Sequence, residues 1–298
     1  MSLFCVIILA IIQGLAELLP VSSSAHVVVA EKLMGLDPSS PQMTLLLVML
    51  HTGTMFAVIV YFWKTWKKVY FSSVSSLIRI ATYLACATAL TGIAGIILKN
   101  TIEKTLFHSA QKAEIEQLFS HLELIAPALA AAGILILIAG LMERRIKKTG
   151  FTRILADEEG TLTLKQALWM GLVQGIALPF RGFSRSGSTI SAGMLTGAAK
   201  EPAERFSFAM AVLITPAVIA AELIRLLKAV HASAGSSAPI DLHASLLSSL
   251  LGAVFSFIAG LLALKWLSRW LESGRWYLFG IYCLVASAVV FYLHTRGF

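Results

Sequence analysis

Charged residues are scarce in this chain, 13% of 298 positions, while apolar residues make up 57%. Soluble domains carry about a quarter charged residues, so the composition excludes one and leaves an integral membrane protein. Acidic groups are scarcer still, sixteen Asp and Glu against 24 Lys and Arg, for a formal net charge of +8. That excess does not point to nucleic acid, because the basic residues sit in the short connections between apolar runs, where membrane topology places them. Cysteine is nearly missing. Cys5, Cys86 and Cys283 all lie in apolar runs without CxxC or ligand spacing, which excludes a disulfide framework and a zinc site. No Lys or Arg precedes the first apolar run, Leu3 to Ile12, and the first basic residue is Lys32. The run is therefore expected to be retained structure and not a signal-peptide core.

What is present is length without charge. Six apolar runs, roughly 43–63, 79–98, 124–142, 206–227, 245–264 and 276–293, have the length that crosses a hydrocarbon core. Two others are short and broken: 3–34, interrupted by Pro20 and three serines, and 165–197, interrupted by Pro179, Gly182 and Gly187. Broken backbone at membrane depth is tolerated only where protein or a water-filled cavity satisfies it, so each is read as a re-entrant helical hairpin. The fold expected is an all-α polytopic membrane protein with six full spans and two re-entrant hairpins, a single membrane domain over 1–298. Hairpin plus three spans occurs twice, in 1–150 and 151–298, and three being odd, the halves form an inverted-topology repeat with a site where the broken helices meet. Fifteen Lys and Arg fall in connections 64–79, 143–165, 200–205 and 265–275, and seven on the other side, with Arg181 and Arg185 inside the second hairpin. The positive-inside bias puts both termini outside and opens the site outward. The segment 150–163, with Asp157, Glu158 and Glu159, reads as a solvated inner loop.

The two hairpins echo each other: Gln13-Gly14-Leu15-Ala16-Glu17 with Pro20 and Ser22-Ser23-Ser24, and Gln174-Gly175-Ile176-Ala177 with Pro179 and Ser184-Arg185-Ser186. Polar groups inside such apolar stretches are costly and usually functional. Gln13 and Glu17, four apart, share one helix face, and Pro20 stops that helix, leaving the carboxylate near the hairpin tip. Ser22, Ser23 and Ser24 precede the next half-helix; one of them caps it, or their hydroxyls join its free N–H groups in facing a ligand. His26 lies in the first turn, within reach of Glu17 and the serines, as acid, base or nucleophile. In the second hairpin Ser184, Arg185, Ser186, Gly187, Ser188 and Thr189 describe an oxyanion cradle: hydroxyls and N–H groups at a helix start, a glycine for close approach, and a planar guanidinium suited to phosphate. Arg181 is a weaker candidate. His51, Thr52, Gly53 and Thr54 line the same cavity or merely pack, with equal weight. One carboxylate, one His, one Arg and many hydroxyls point to phosphate chemistry on a membrane-embedded substrate, and a lipid diphosphate fits both the charge and the apolar surroundings.

With these residues in place, the chain resembles the undecaprenyl-diphosphate phosphatase family, also called the bacitracin-resistance family, nearly end to end. Gln13 and Glu17 match its Glu/Gln-x-x-x-Glu motif, and residues 20–26 match its Pro-Val-Ser-Ser-small-Gly-His stretch, with Ala25 in the glycine place. Gly182-Phe183-Ser184-Arg185-Ser186-Gly187 matches its second motif, with the proline displaced to Pro179 and Arg181 extra. The resemblance implies hydrolysis of undecaprenyl diphosphate to undecaprenyl phosphate and inorganic phosphate, lowered bacitracin sensitivity, and a bacterial inner-membrane location with the site facing the periplasm. Glu17, His26, Ser23 and Arg185 are the catalytic residues expected, activating Ser23 or a water. Gln13, Ser22, Ser24, Ser184, Ser186, Gly187, Ser188 and Thr189 are the expected substrate ligands. A divalent cation, Mg2+ or Ca2+, is expected to bridge Glu17 and the diphosphate. A lipid flippase is the rival reading, since inverted repeats serve transporters too, although an anion carrier has no need of Glu17 beside its ligand. The other membrane lipid-phosphatase signature fails, because no His or Asp follows Ser184-Arg185 through Lys200. A homodimer is left open; Gly133, Gly140, Gly252 and Gly260 are assigned to contacts within the chain ahead of contacts between copies.

Overall fold

The computed structural model describes residues 2–38, 40–106, 122–149, 162–233, 242–271 and 275–297. Among them the chain is all helix: α1 (Leu3–Leu18), α2 (Ser23–Leu33), α3 (Pro41–Val69), α4 (Val74–Leu106), α5 (Leu122–Thr149), α6 (Leu164–Ala177), α7 (Arg185–Leu195), α8 (Lys200–Ser233), α9 (Leu242–Leu271) and α10 (Tyr277–Thr295). Six helices, α3, α4, α5, α8, α9 and α10, are long and apolar enough to cross a membrane. The protein is a multi-pass helical membrane protein. The long helices run past the expected apolar windows at several ends. α3 continues to Val69 through Lys64, Lys67 and Lys68, because the backbone ladder goes on into the polar zone where lysine heads reach water. Most of the inner-loop segment, 150–161, lies outside the described residues.

The two broken runs resolve into the pairs α1/α2 and α6/α7. At 1.5 Å per residue, the 16- and 11-residue helices of the first pair reach about 24 and 17 Å, short of the roughly 30 Å core. Local chemistry sets their ends. The Ser2 hydroxyl caps α1, and Thr163 and Gln166 form a reciprocal capping box on α6. Leu18 is the last helical residue before Pro20, and α6 stops at Ala177, ahead of Pro179. Gly182, at φ +99°, carries the turn of the second pair. Gly187, expected to break that segment, sits instead in the first turn of α7. A Cβ there would stand 2.6 Å from Ile136 Cδ1 and 3.1 Å from the Pro20 carbonyl oxygen, so its role is close approach to the other hairpin.

The hairpins are clamped by the opposite halves of the chain. α1 packs on α9 and α6 on α4, while α3 meets α8 and α5 meets α10. The echo residues Gly14 and Gly175 stand at the two equivalent contacts: a Cβ would meet Ala259 at 2.5 Å in the first and Ala94 at 2.7 Å in the second. The four packing glycines also serve within the chain. Gly133 and Gly140 face α10, Gly252 faces Leu46 and Leu50, and Gly260 faces Leu18 and Ala57. Buried hydroxyls bind across the same seams, Ser256 to the Leu50 carbonyl at 2.9 Å and Ser287 to that of Ala126 at 2.7 Å.

The tightest seam gives a stability test. A Cβ on Gly53 would lie 2.1 Å from the Ala253 carbonyl oxygen, backbone that cannot swing away, whereas one on Gly92 meets nothing within 4 Å. Gly53→Ala is expected to destabilise the detergent-solubilised protein by about 1–3 kcal/mol. Gly92→Ala is expected to stabilise it by about 0.5–1 kcal/mol through helix propensity. Equilibrium denaturation in one detergent checks both, and equal midpoints would refute the packing argument.

Candidate active site

Glu17, the last residue but one of α1, is the hub where the two hairpins meet. Gln13 Nε2 donates to its Oε2 at 3.0 Å, from the preceding turn of the same helix. The Ser23 hydroxyl, at the start of α2, donates to the same oxygen, and Arg185 Nη2, at the start of α7, donates to Oε1. From α3, His51 Nε2 stands 3.4 Å from Oε2. The Glu17 side chain is 10% exposed and that of Arg185 26%, so the acid is enclosed while the guanidinium keeps a face toward open space. A carboxylate in so few polar surroundings is tolerated because Gln13, Ser23 and Arg185 all donate to it.

The hydroxyls divide by hairpin. Ser22 N-caps α2 in the left-handed region, φ +68°, and makes no side-chain capping bond. Ser23 is turned to Glu17, and Ser24 pairs with Ser22 at 3.3 Å and accepts the Gly182 N–H from the other hairpin. No capping bond from the serine hydroxyls is thus seen at α2, whose first-turn N–H groups are donors of the kind that binds anions. In the second hairpin the hydroxyls are used up locally. Ser184 caps the Gly187 N–H at 3.2 Å, and Ser188 and Thr189 donate to the Arg185 carbonyl at 3.1 and 2.8 Å. Ser184, Ser188 and Thr189 are buried, and Ser186 reaches across to the Leu19 carbonyl at 3.5 Å. Hydroxyls in a first helical turn bond back to nearby carbonyls readily, which is why those of Ser188 and Thr189 turn inward, while that of Ser184 is taken by the Gly187 N–H. The contribution of this segment to the site is Arg185 and the backbone of α7.

His26 stands apart from Glu17. Its two ring nitrogens are hydrogen-bonded to the Ser22 carbonyl and the Tyr282 hydroxyl. The imidazole that reaches the carboxylate is His51, whose Nδ1 lies 2.8 Å from the Leu47 carbonyl, leaving Nε2 toward Glu17. A polar run within a span pointed to His51, but one turn of α3 offers Thr52 and Thr54 as well. Those two bond to the carbonyls of Val48 and His51 in their own helix. Tyr282 carried no sequence signal, being one of several aromatics in the last span. Gln13 is fully buried, and its Oε1 has no hydrogen-bond partner among the described residues.

Residues 6–289 match the family model described as "Bacitracin resistance protein BacA". The chain belongs to this family. Within it, the chain is 57% identical to "Undecaprenyl-diphosphatase 2" of Acinetobacter baylyi over 290 residues, covering 97% of each chain. It is 34% identical to "Undecaprenyl-diphosphatase 2" of Burkholderia ambifaria, over 98% of this chain and 96% of that one. It is 35% identical to the protein of the same name in Burkholderia thailandensis, over 96% and 95%. Every site residue of this BacA-family chain named above falls inside the matched stretch.

Proposed function

We propose that the protein hydrolyses undecaprenyl diphosphate to undecaprenyl phosphate and inorganic phosphate, recycling carrier lipid for envelope synthesis and lowering sensitivity to bacitracin. The observation that carries this reading is the contact of Ser23, Glu17 and Arg185: a nucleophile on its base, with a phosphate-binding cation on the base's other oxygen. The names borne by the relatives agree with it.

In this mechanism Arg185 and the N-termini of α2 and α7 hold the terminal phosphate. Glu17 takes the Ser23 proton as Oγ attacks phosphorus in line. Undecaprenyl phosphate leaves with the proton that Glu17 gives up, and the ionised Glu17 then takes a proton from the attacking water and passes it to Ser23 Oγ as inorganic phosphate is released. Gln13 and His51 orient the carboxylate. The spared hydroxyls of Ser22 and Ser24 are the remaining candidates to touch substrate, and Ser184, Ser186, Gly187, Ser188 and Thr189 act by shaping the α7 N-terminus. The donor set also suits a hard divalent cation, Mg2+ or Ca2+. Glu17 would hold it, with the partnerless Gln13 Oε1 as a further oxygen ligand, and such a cation would neutralise diphosphate charge.

The re-entrant, inverted-repeat reading belongs to the same proposal. It is supported by helices too short to span and by the exchange-related packing of α1 on α9 and α6 on α4. With the Lys/Arg bias, it orients the site outward, to the periplasmic face of a bacterial inner membrane. The test is phosphate release from a long-chain polyprenyl diphosphate by the solubilised protein, with a chelator in parallel. Release is expected, and its loss on chelation would support the cation. Binding without release would transfer the protein to the flippase reading.

A further inference from the structure

The imidazole of His26 has both nitrogens occupied by protein. Nδ1 lies 2.7 Å from the Ser22 carbonyl oxygen and Nε2 lies 2.6 Å from the Tyr282 hydroxyl of α10. The two rings are nearly parallel, 11° apart with centroids at 5.6 Å. A carbonyl oxygen only accepts, so Nδ1 carries a proton, and in the neutral ring Nε2 holds the lone pair that accepts the Tyr282 O–H. The carbonyl is aimed by the left-handed Ser22, at φ +68°, so the hairpin turn and Tyr282 favour the same tautomer from the two ends of the ring. α10 is seated on the same turn: Cys283, the next residue, places its Sγ 3.5 Å from the Pro20 carbonyl.

We propose that Tyr282 is a positioning residue for the phosphatase reaction: it holds His26 as the Nδ1–H tautomer and covers Nε2, the ring's one basic nitrogen, until the diphosphate enters. The proposal rests on the phosphatase reading and explains a division of labour in the site. With Nε2 covered, His26 neither attacks phosphorus nor takes the Ser23 proton in the resting enzyme, and among the described residues Glu17 is the base in contact with the nucleophile. The ring is delivered to the bound substrate in one orientation, with its lone pair on a known atom. Tyr282 comes from the last helix and so makes the first hairpin's histidine depend on the second half of the chain.

The experiment is nitrogen NMR of the full-length solubilised protein labelled with 15N-histidine, with the His26 signals assigned by their loss in His26→Gln. In the wild type the proton is expected on Nδ1, with Nε2 a hydrogen-bonded, pyridine-type nitrogen. Tyr282→Phe keeps the ring contact and removes the hydroxyl. Its Nε2 signal is expected to move toward that of a free pyridine-type nitrogen, with kcat on a polyprenyl diphosphate down about tenfold at unchanged KM. A wild-type proton on Nε2 alone would overturn the proposal, whether or not Tyr282→Phe folds. So would a Tyr282→Phe protein whose His26 signals and kcat both match the wild type. The tautomer and its shift in a protein that releases no phosphate would keep the Tyr282 lock while removing the phosphatase reading.

Discussion

Glu17→Gln is expected to lower phosphate release by about 10²- to 10⁴-fold, the range that a positioned general base contributes. The substitution changes almost no volume, and an amide oxygen can still accept one of the bonds now made by Gln13, Ser23 and Arg185. What it cannot do is take the Ser23 proton or balance the guanidinium. Folding is expected to survive, because Arg185 keeps a face toward open space and is not left buried without a counter-charge. Steady-state phosphate release beside a thermal melt of the same preparation separates the two effects. Retained turnover in a folded protein would remove Glu17 from its role and with it the assigned base.

Arg185→Lys is expected to cost about 10²- to 10³-fold in kcat, the range for losing one preorganised donor to developing charge, and Arg185→Ala at least as much. Lysine keeps the charge but loses the planar fork, so the conservative change is not expected to rescue. A lysine head on the same helix start would still pair with Glu17, which makes the loss a test of phosphate geometry and not of hairpin docking. Near-wild-type kcat in Arg185→Lys would reduce Arg185 to a counter-charge for Glu17.

Much of this protein was legible before any coordinate. The six spans follow from run length, and the paired helices of each broken run from Pro20, Pro179 and Gly182, which act through local backbone constraints. The candidates Gln13, Glu17, Ser23 and Arg185 were legible because a polar group inside an apolar stretch is expensive whatever surrounds it. The echo was legible too, yet it misleads about symmetry. Gln174 reproduces Gln13 in sequence, but its Nε2 donates to Thr91 at 3.4 Å across the α4 seam, and the place four residues on is Leu178 where the first hairpin has Glu17. One fold element is used twice, once to carry the acid and once, through Arg185, the cation.

The sequence by itself determined the solvent of this protein, its six membrane-length helices, its breaks and the polar candidates for its site, because each rests on composition or on neighbours within one helical turn. Which histidine serves Glu17 was decided only in three dimensions. His26 is nine residues from Glu17 and His51 is thirty-four, but the left-handed Ser22 turns the first ring to Tyr282 while the close α3 to α9 packing brings the second to the carboxylate. Which hydroxyls face outward was decided there as well, since Ser23 finds a carboxylate and Ser188 finds only the carbonyl of its own helix. Tyr282, 256 residues from His26, became a neighbour only when α10 closed over the hairpin turn, for distance along a chain sets no distance across a packed seam.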